Sequence, residues 1–296
     1  MSKCFYVTNK NSARVLSLEE CLKLFENLSI YNIDEEVDMS LPITNFECIT
    51  LGKDDISARG FELSYIKKDG CYEFRILSPS SSYDWQILLL SINILADFLG
   101  VSEIKDEDNQ SYSIDEILNY NYKNDILGGI ECLKKYVKEN HRLVLPCLTQ
   151  SIHIDEELLN DILLDNDIVN SFSEFITKIE NLDAYFATQR FYNQDNRIIG
   201  VYTLTEGVRT VLPLEPEIEY SYQDIISKDD FEGFKLAIVV CNGDSNNEDS
   251  YEMIDIINYD KLFSHLDNSK YKRLDAYNFV INPLTKDELI TLITED

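Results

Sequence analysis

The sequence predicts an α+β protein with two mostly antiparallel, sheet-containing lobes, packed helices and a helical middle segment. Three observations lead there. Strand-like runs alternate with helices in the first third and dominate the last third, whereas the middle keeps close to helical period. Two hairpin signals, Asp69-Gly70 and the NQDN stretch at 193–196, separate runs of strand character. Ser or Thr stands three residues before Glu or Asp at 17/20, 81/84, 113/116 and 285/288, the spacing of a capping box. The boundaries expected are 1–105 for an N-terminal α+β lobe, 106–180 for a helical connecting segment and 181–296 for a C-terminal α+β lobe.

In chain order, CFYVTN reads as a strand, SLEECLKLFENL as a helix capped by Ser17, and FECITLG as a second strand. FELSYIKK and CYEFRIL form a hairpin. Its alternation puts Phe61, Leu63, Tyr65, Tyr72, Phe74 and Ile76 on the inner side, with Glu62, Glu73 and Arg75 on the outer. WQILLLSINILADFL, residues 85–99, is a buried helix that ends at Gly100. From about residue 103 the polar run EIKDEDNQSYSIDE reads as a linker or long turn, followed by helices through residue 180. The last third returns to strands, DAYFATQRFY, RIIGVYTLT, RTVLPLEP, FKLAIVVC, YEMIDIIN and LDAYNFVINP, before a terminal helix capped by Thr285.

With 26 basic against 54 acidic residues, the net charge of −28 disfavours nucleic acid and anionic membrane as partners, because both are repelled at long range. A basic protein is the partner this charge suits. No run approaches a membrane span, and MSKCFYVTNK lacks the apolar centre of a signal peptide. Seven scattered cysteines without a C-x-x-C pair fit reduced thiols and a cytoplasmic location. The oligomeric state is not legible.

Phosphate-cradling glycine loops and the G-x-S-x-G elbow are missing from the sequence, so it gives no catalytic residue and no cofactor. His141, Cys147 and His153 are spaced six apart, about 20 Å per step in a strand, too far for one metal ion. CNGDSNNEDSYEMID is the candidate for a divalent ion: Asp244, Asn246, Glu248 and Asp255 stand at the first, third, fifth and twelfth places of a calcium loop. Asp249 occupies the place of the usual Gly, and strands flank the segment where helices belong. A solvated acidic loop is the competing account.

Between Lys178 and Lys228 the cations are Arg190, Arg197 and Arg209, with no lysine. The planar guanidinium fork holds carboxylates and phosphates in fixed geometry. These three, with Tyr192, Tyr202 and Arg59, are therefore candidates for an anion site. The competing reading makes them internal counter-ions to Glu206, Glu215, Glu217 and Glu219, relieving self-repulsion in an acidic chain. The stretches DISARGFELSY and RFYNQDNRIIGVYTLTEGVRTVLPLEP, with CFYVTNK and the Trp85 helix, resemble a family of uncharacterised proteins from low-GC Gram-positive bacteria. That resemblance implies a bacterial, cytoplasmic, single-module protein and carries no catalytic residue with it. Two functions are expected from the chain: an acidic binding or regulatory protein that engages a basic partner, such as a toxin or nuclease it neutralises, or an enzyme or sensor that holds a small anion on the arginines.

Overall fold

The computed structural model describes residues 2–9, 15–34, 36–194, 197–227 and 229–294, apart from the side chain of Tyr220. Contacts divide the chain into two compact units, Met1–Leu182 and Asp183–Asp296. Residues 106–180 fall within the first.

The first unit is built on a seven-stranded sheet. Its elements are β1 (Ser2–Thr8), α1 (Leu18–Leu24), β2 (Ser29–Ile30), β3 (Ile49–Gly52), β4 (Phe61–Ile66), β5 (Cys71–Leu77), α2 (Ser82–Leu99), β6 (Glu103–Asp106) and β7 (Ser111–Ser113). The spatial order is β2-β3-β4-β5-β1-β6-β7, and every neighbouring pair is antiparallel. Alternation along β4 and β5 buries Phe61, Leu63, Tyr72, Phe74 and Ile76. Glu62 and Arg75, directly opposite in register, pair on the other side. The helix α2 offers Trp85, Leu88, Ile92 and Leu95 as buried residues. Its Ser81–Asp84 capping box is formed, and Gly100 closes it in the left-handed conformation at φ 65°. α3 (Ile114–Leu118), α4 (Lys123–Asn140), β8 (Arg142–Pro146), β9 (Ser151–Asp155), α5 (Glu156–Leu163) and α6 (Ile168–Glu180) complete the unit.

Three local expectations are corrected. The β4–β5 connection spans Lys67–Gly70, because Ile66 pairs with Cys71, and Gly70 rather than Asp69 takes the positive φ. Residues 103–113 are a hairpin instead of a linker: Asp106 accepts hydrogen bonds from the Asp108 and Gln110 amides, and Asn109 adopts φ 62°. Sequence composition hid these strands because β7 is the sheet edge with β6 next to it, and both turn polar residues to solvent. The stretch 142–155, which follows His141 and carries Cys147 in its connection and His153 in β9, is a hairpin too.

The second unit contains β10 (Tyr185–Phe186), β11 (Arg190–Gln194), β12 (Arg197–Thr205), β13 (Thr210–Pro213), α7 (Tyr220–Gln223), β14 (Phe231–Cys241), β15 (Tyr251–Asn258), α8 (Lys261–His265), β16 (Tyr271–Arg273), β17 (Asn278–Ile281) and α9 (Lys286–Thr294). Two four-stranded sheets result, β10-β13-β17-β16 and β11-β12-β14-β15. Tyr202, Leu204, Leu236, Ile238 and Val240 from the latter form one core with Leu212, Ile281, Leu262, Leu289 and Leu292. Residues Asp195 and Asn196 of the predicted NQDN turn lie outside the described residues, while the flanking pair Gln194–Arg197 is in antiparallel register. The pairs β10–β13 and β12–β14 are parallel. Such pairs require long crossovers, here 187–209 and 206–230, and strand composition alone does not announce them.

Candidate functional site: an acidic tyrosine cleft

In the first unit a cleft of about 770 Å³ opens between the β6–β7 hairpin, α3 and the start of α4. Tyr112 and Tyr120 are its aromatic lining, with further rings packed behind them. Trp85 is stacked between Tyr120 and Tyr122, at 5.7 and 5.9 Å between ring centroids, and Phe5 meets Tyr120 edge-on at 5.3 Å. The residues Asn119–Tyr122 that carry these rings link α3 to α4, so the Ser113–Glu116 capping box that starts α3 sets their approach. Tyr112 projects from β7 and also meets Phe5 and Tyr120 edge-on.

Around this lining stand Asp106, Asp108, Asp115, Glu116 and Asp125, against Lys3 as the basic lining residue. Lys3 donates to Asp106 Oδ2 at 2.9 Å and reaches Glu107 at 3.2 Å. Desolvation opposes ionisation of Asp106, but the Lys3 ammonium, the Gln110 amide and the Tyr112 hydroxyl together hold its carboxyl below the usual range. For Lys3, desolvation is outweighed by the hydrogen bonds to Asp106 and Glu107, and its pKa rises. Burial pushes the Asp125 carboxyl up, against the pull of the Tyr120 hydroxyl that donates to it at 2.9 Å. By contrast, the carboxylates of Asp108 and Asp115 have no hydrogen-bond or ion-pair partner among the described residues. The result is a concave surface with unneutralised negative charge at its rim. An ammonium or guanidinium group suits it chemically, through charge and through hydrogen bonds to the carboxylates.

Arg59 is elsewhere in the same unit and is buried. It donates from Nε to the Pro146 carbonyl at 2.9 Å and from Nη1 to the Pro79 carbonyl at 2.6 Å, bracing two loops. Its own loop is held by the fully buried Asp84, whose carboxylate accepts from the amides of Ala58, Arg59 and Gly60 and from Ser81. Burial pushes the Asp84 carboxyl up, and these hydrogen bonds oppose the shift.

The remaining arginine-set residues belong to the second unit. Arg190, Tyr192 and Arg197 share one face of the β11–β12 hairpin, since Arg190 pairs with Val201 and Tyr192 with Ile199. Tyr202 points into the core on the opposite face and accepts a hydrogen bond from Gln189. Arg209 precedes β13, with its Nε buried and unpaired. Arg190 and Arg197 are four residues apart along the hairpin, about 13 Å, and Arg209 follows the far end of β12. None of the three has an ion-pair partner among the described residues.

In the acidic loop, Asp244 accepts hydrogen bonds from the amide and side chain of Asn246, whereas Asp255 lies within β15 opposite Ile238. Among the described residues no group of three or more His, Cys, Asp or Glu is placed to hold a metal ion. No helix there is long and apolar enough to cross a membrane. The cleft itself escaped sequence reading, because a carboxylate pair carries no information in a chain with 54 acidic residues. The available signal was local: a capping box directly after an Asx-rich turn, followed by two tyrosines at 120 and 122.

The fold is thus an α+β assembly of an antiparallel seven-stranded unit and a mixed two-sheet unit. By family, the chain belongs to the domain of unknown function DUF4299, whose model matches residues 2–292. Comparison with curated proteins and with solved structures gave no significant match.

Proposed function

We propose that this chain is a binding protein whose first unit captures a basic segment of another protein in the acidic tyrosine cleft. The observation that carries the proposal is the pair of unpartnered carboxylates, Asp108 and Asp115, on the rim of a concave surface lined by Tyr112 and Tyr120. A cleft of about 770 Å³ matches the size of small-ligand sites, and a Lys or Arg side chain with its flanking backbone fits within it. The net charge of −28 favours encounter with a positive surface at long range, and the cleft supplies the contact. The alternative anion site lacks a comparable construction: its arginines are spread along a hairpin and beyond, with Arg59 committed to two carbonyls in another unit.

Fluorescence anisotropy with a labelled lysine- and arginine-rich peptide tests the proposal. The Asp108→Asn, Asp115→Asn double variant is expected to bind roughly tenfold more weakly, a loss of about 1.4 kcal/mol. The charge-matched Glu139→Gln, Asp161→Asn variant, altered outside the cleft, is expected to bind like the parent. Equal weakening by both pairs would reduce the interaction to net charge and refute the cleft as the site.

A further inference from the structure

In the second unit a smaller pocket, of about 420 Å³, forms where three chain segments meet: 214–216 after β13, 232–235 near the start of β14, and 258–260 at the end of β15. Tyr259 ties the three together. Its hydroxyl donates to the Pro213 carbonyl at 2.6 Å, and its amide donates to the Phe234 carbonyl at 3.2 Å. Lys235 pairs with Asn258 in register, and its ammonium donates to Asn258 Oδ1 at 2.7 Å. A β-bulge shapes the opening. Ile198 pairs with Phe231 and Ile199 with Gly233, so Glu232 is the extra residue of β14, and bulges re-aim side chains beside binding sites. Gly233 takes φ 147°, which side chains rarely adopt, and a Cβ there would meet nothing within 4 Å.

Two kinds of surface line the space. Leu214, which is 43% exposed, and the half-buried Pro216 and Phe234 supply apolar contact. Glu215, Glu232 and Asp260 supply carboxylates, against Lys235 as the basic lining residue. Glu232 reaches Lys235 at 3.8 Å, so one of the three is compensated. The carboxylates of Glu215 and Asp260 have no hydrogen-bond or ion-pair partner among the described residues. Asp260 stands at the N-cap of α8, where an aspartate ordinarily bonds the first-turn amides, yet its side chain makes no capping bond.

We infer that this pocket binds a small organic cation, a primary ammonium carried on an aromatic or branched apolar body, independently of the cleft in the first unit. Its volume lies in the range of small-ligand sites and is about half that of the cleft, which suits a compact molecule rather than a peptide segment. The apolar body lies against Leu214, Pro216 and Phe234, and its removal from water contributes affinity. The ammonium meets Glu215 and Asp260 through charge-assisted hydrogen bonds. A bare metal ion is the poorer occupant, because among the described residues no group of three or more His, Cys, Asp or Glu is placed to coordinate one. An anion would have to draw Lys235 from Asn258 and face two uncompensated carboxylates.

The test titrates the full chain with phenethylamine at physiological salt, following backbone amide NMR shifts. Three comparison probes dissect the chemistry: ethylamine lacks the apolar body, phenethyl alcohol lacks the charge, and hydrocinnamate reverses it. Phenethylamine is expected to bind saturably and at least tenfold more tightly than each of them, with shifts concentrated at 214–216, 232–235 and 258–260. Glu215→Gln with Asp260→Asn should weaken binding at least fivefold, and Leu214→Ser at least threefold, without changing the far-ultraviolet circular dichroism. The Asp108→Asn, Asp115→Asn variant of the first unit should bind the amine like the parent. A comparison probe bound as tightly as phenethylamine, unaltered binding in the carboxylate variant or in Leu214→Ser, or no saturable binding at tens of millimolar overturns the inference. So do amide shifts that fall at 103–125 in place of the pocket residues.

Discussion

At the scale of single residues, Asp84 bears the largest local burden. It closes the N-terminus of α2 through Ser81 and at the same time gathers three successive amides of the Ala58–Gly60 loop. Asp84→Ala strands those buried donors, and urea denaturation is expected to show a loss of at least about 3 kcal/mol. Arg59→Met leaves the Pro79 and Pro146 carbonyls unpaired and should cost about 2 kcal/mol in the same measurement. A loss below 0.5 kcal/mol for both would remove this network from the account. The capping half of Asp84's role was legible in the sequence, since it obeys a three-residue rule. The other half was not, because its partners are 24 to 26 residues away. Arg59 was singled out as an arginine in a lysine-using chain, yet only the structure shows that it faces carbonyls inside the protein rather than a ligand.

Within elements, the glycine pair of α4 gives a contrast. A Cβ at Gly129 would press on Ser78 Oγ and stand 2.8 Å from the Pro79 nitrogen, whereas one at Gly128 would meet nothing within 4 Å. Gly129→Ala is therefore expected to destabilise by about 1–3 kcal/mol and Gly128→Ala to stabilise by about 0.5–1 kcal/mol, as paired denaturation midpoints would show. The β1 to β6 junction predicts a pH effect. Asp106 has a folded-state pKa below its unfolded value, so its contribution is complete above the unfolded value of about 3.9 and disappears as pH falls through the folded one. The stability gap between the parent and Asp106→Asn should be present at pH 7 and narrow as pH falls below the unfolded value, closing once pH has passed the folded one. A gap independent of pH would contradict the Lys3–Asp106 pairing. The elements around α2 and the β4–β5 hairpin could be read because their apolar period is strong. The β6–β7 hairpin could not, since Ile104 is its one fully buried apolar side chain and the turn chemistry resides in Asp106.

Across the whole molecule, an alternating sequence announced the α+β class, and the net charge suggested the sign of a partner. Where that charge becomes a surface depended on tertiary placement. Asp108 and Asp115 line one cleft with Tyr112 and Tyr120 only because the hairpin, α3 and the start of α4 converge. Likewise Arg190 and Arg197 read in sequence as an anion site or as counter-ions, and register sets them on one face of the β11–β12 hairpin without an ion-pair partner among the described residues. The central claim concerns the cleft, and amide hydrogen exchange of the full chain with and without a saturating lysine- and arginine-rich peptide tests it most directly. The account predicts added protection concentrated in residues 103–125, with the second unit unchanged. Protection spread evenly over acidic surfaces of both units, or absent from residues 103–125, would contradict it.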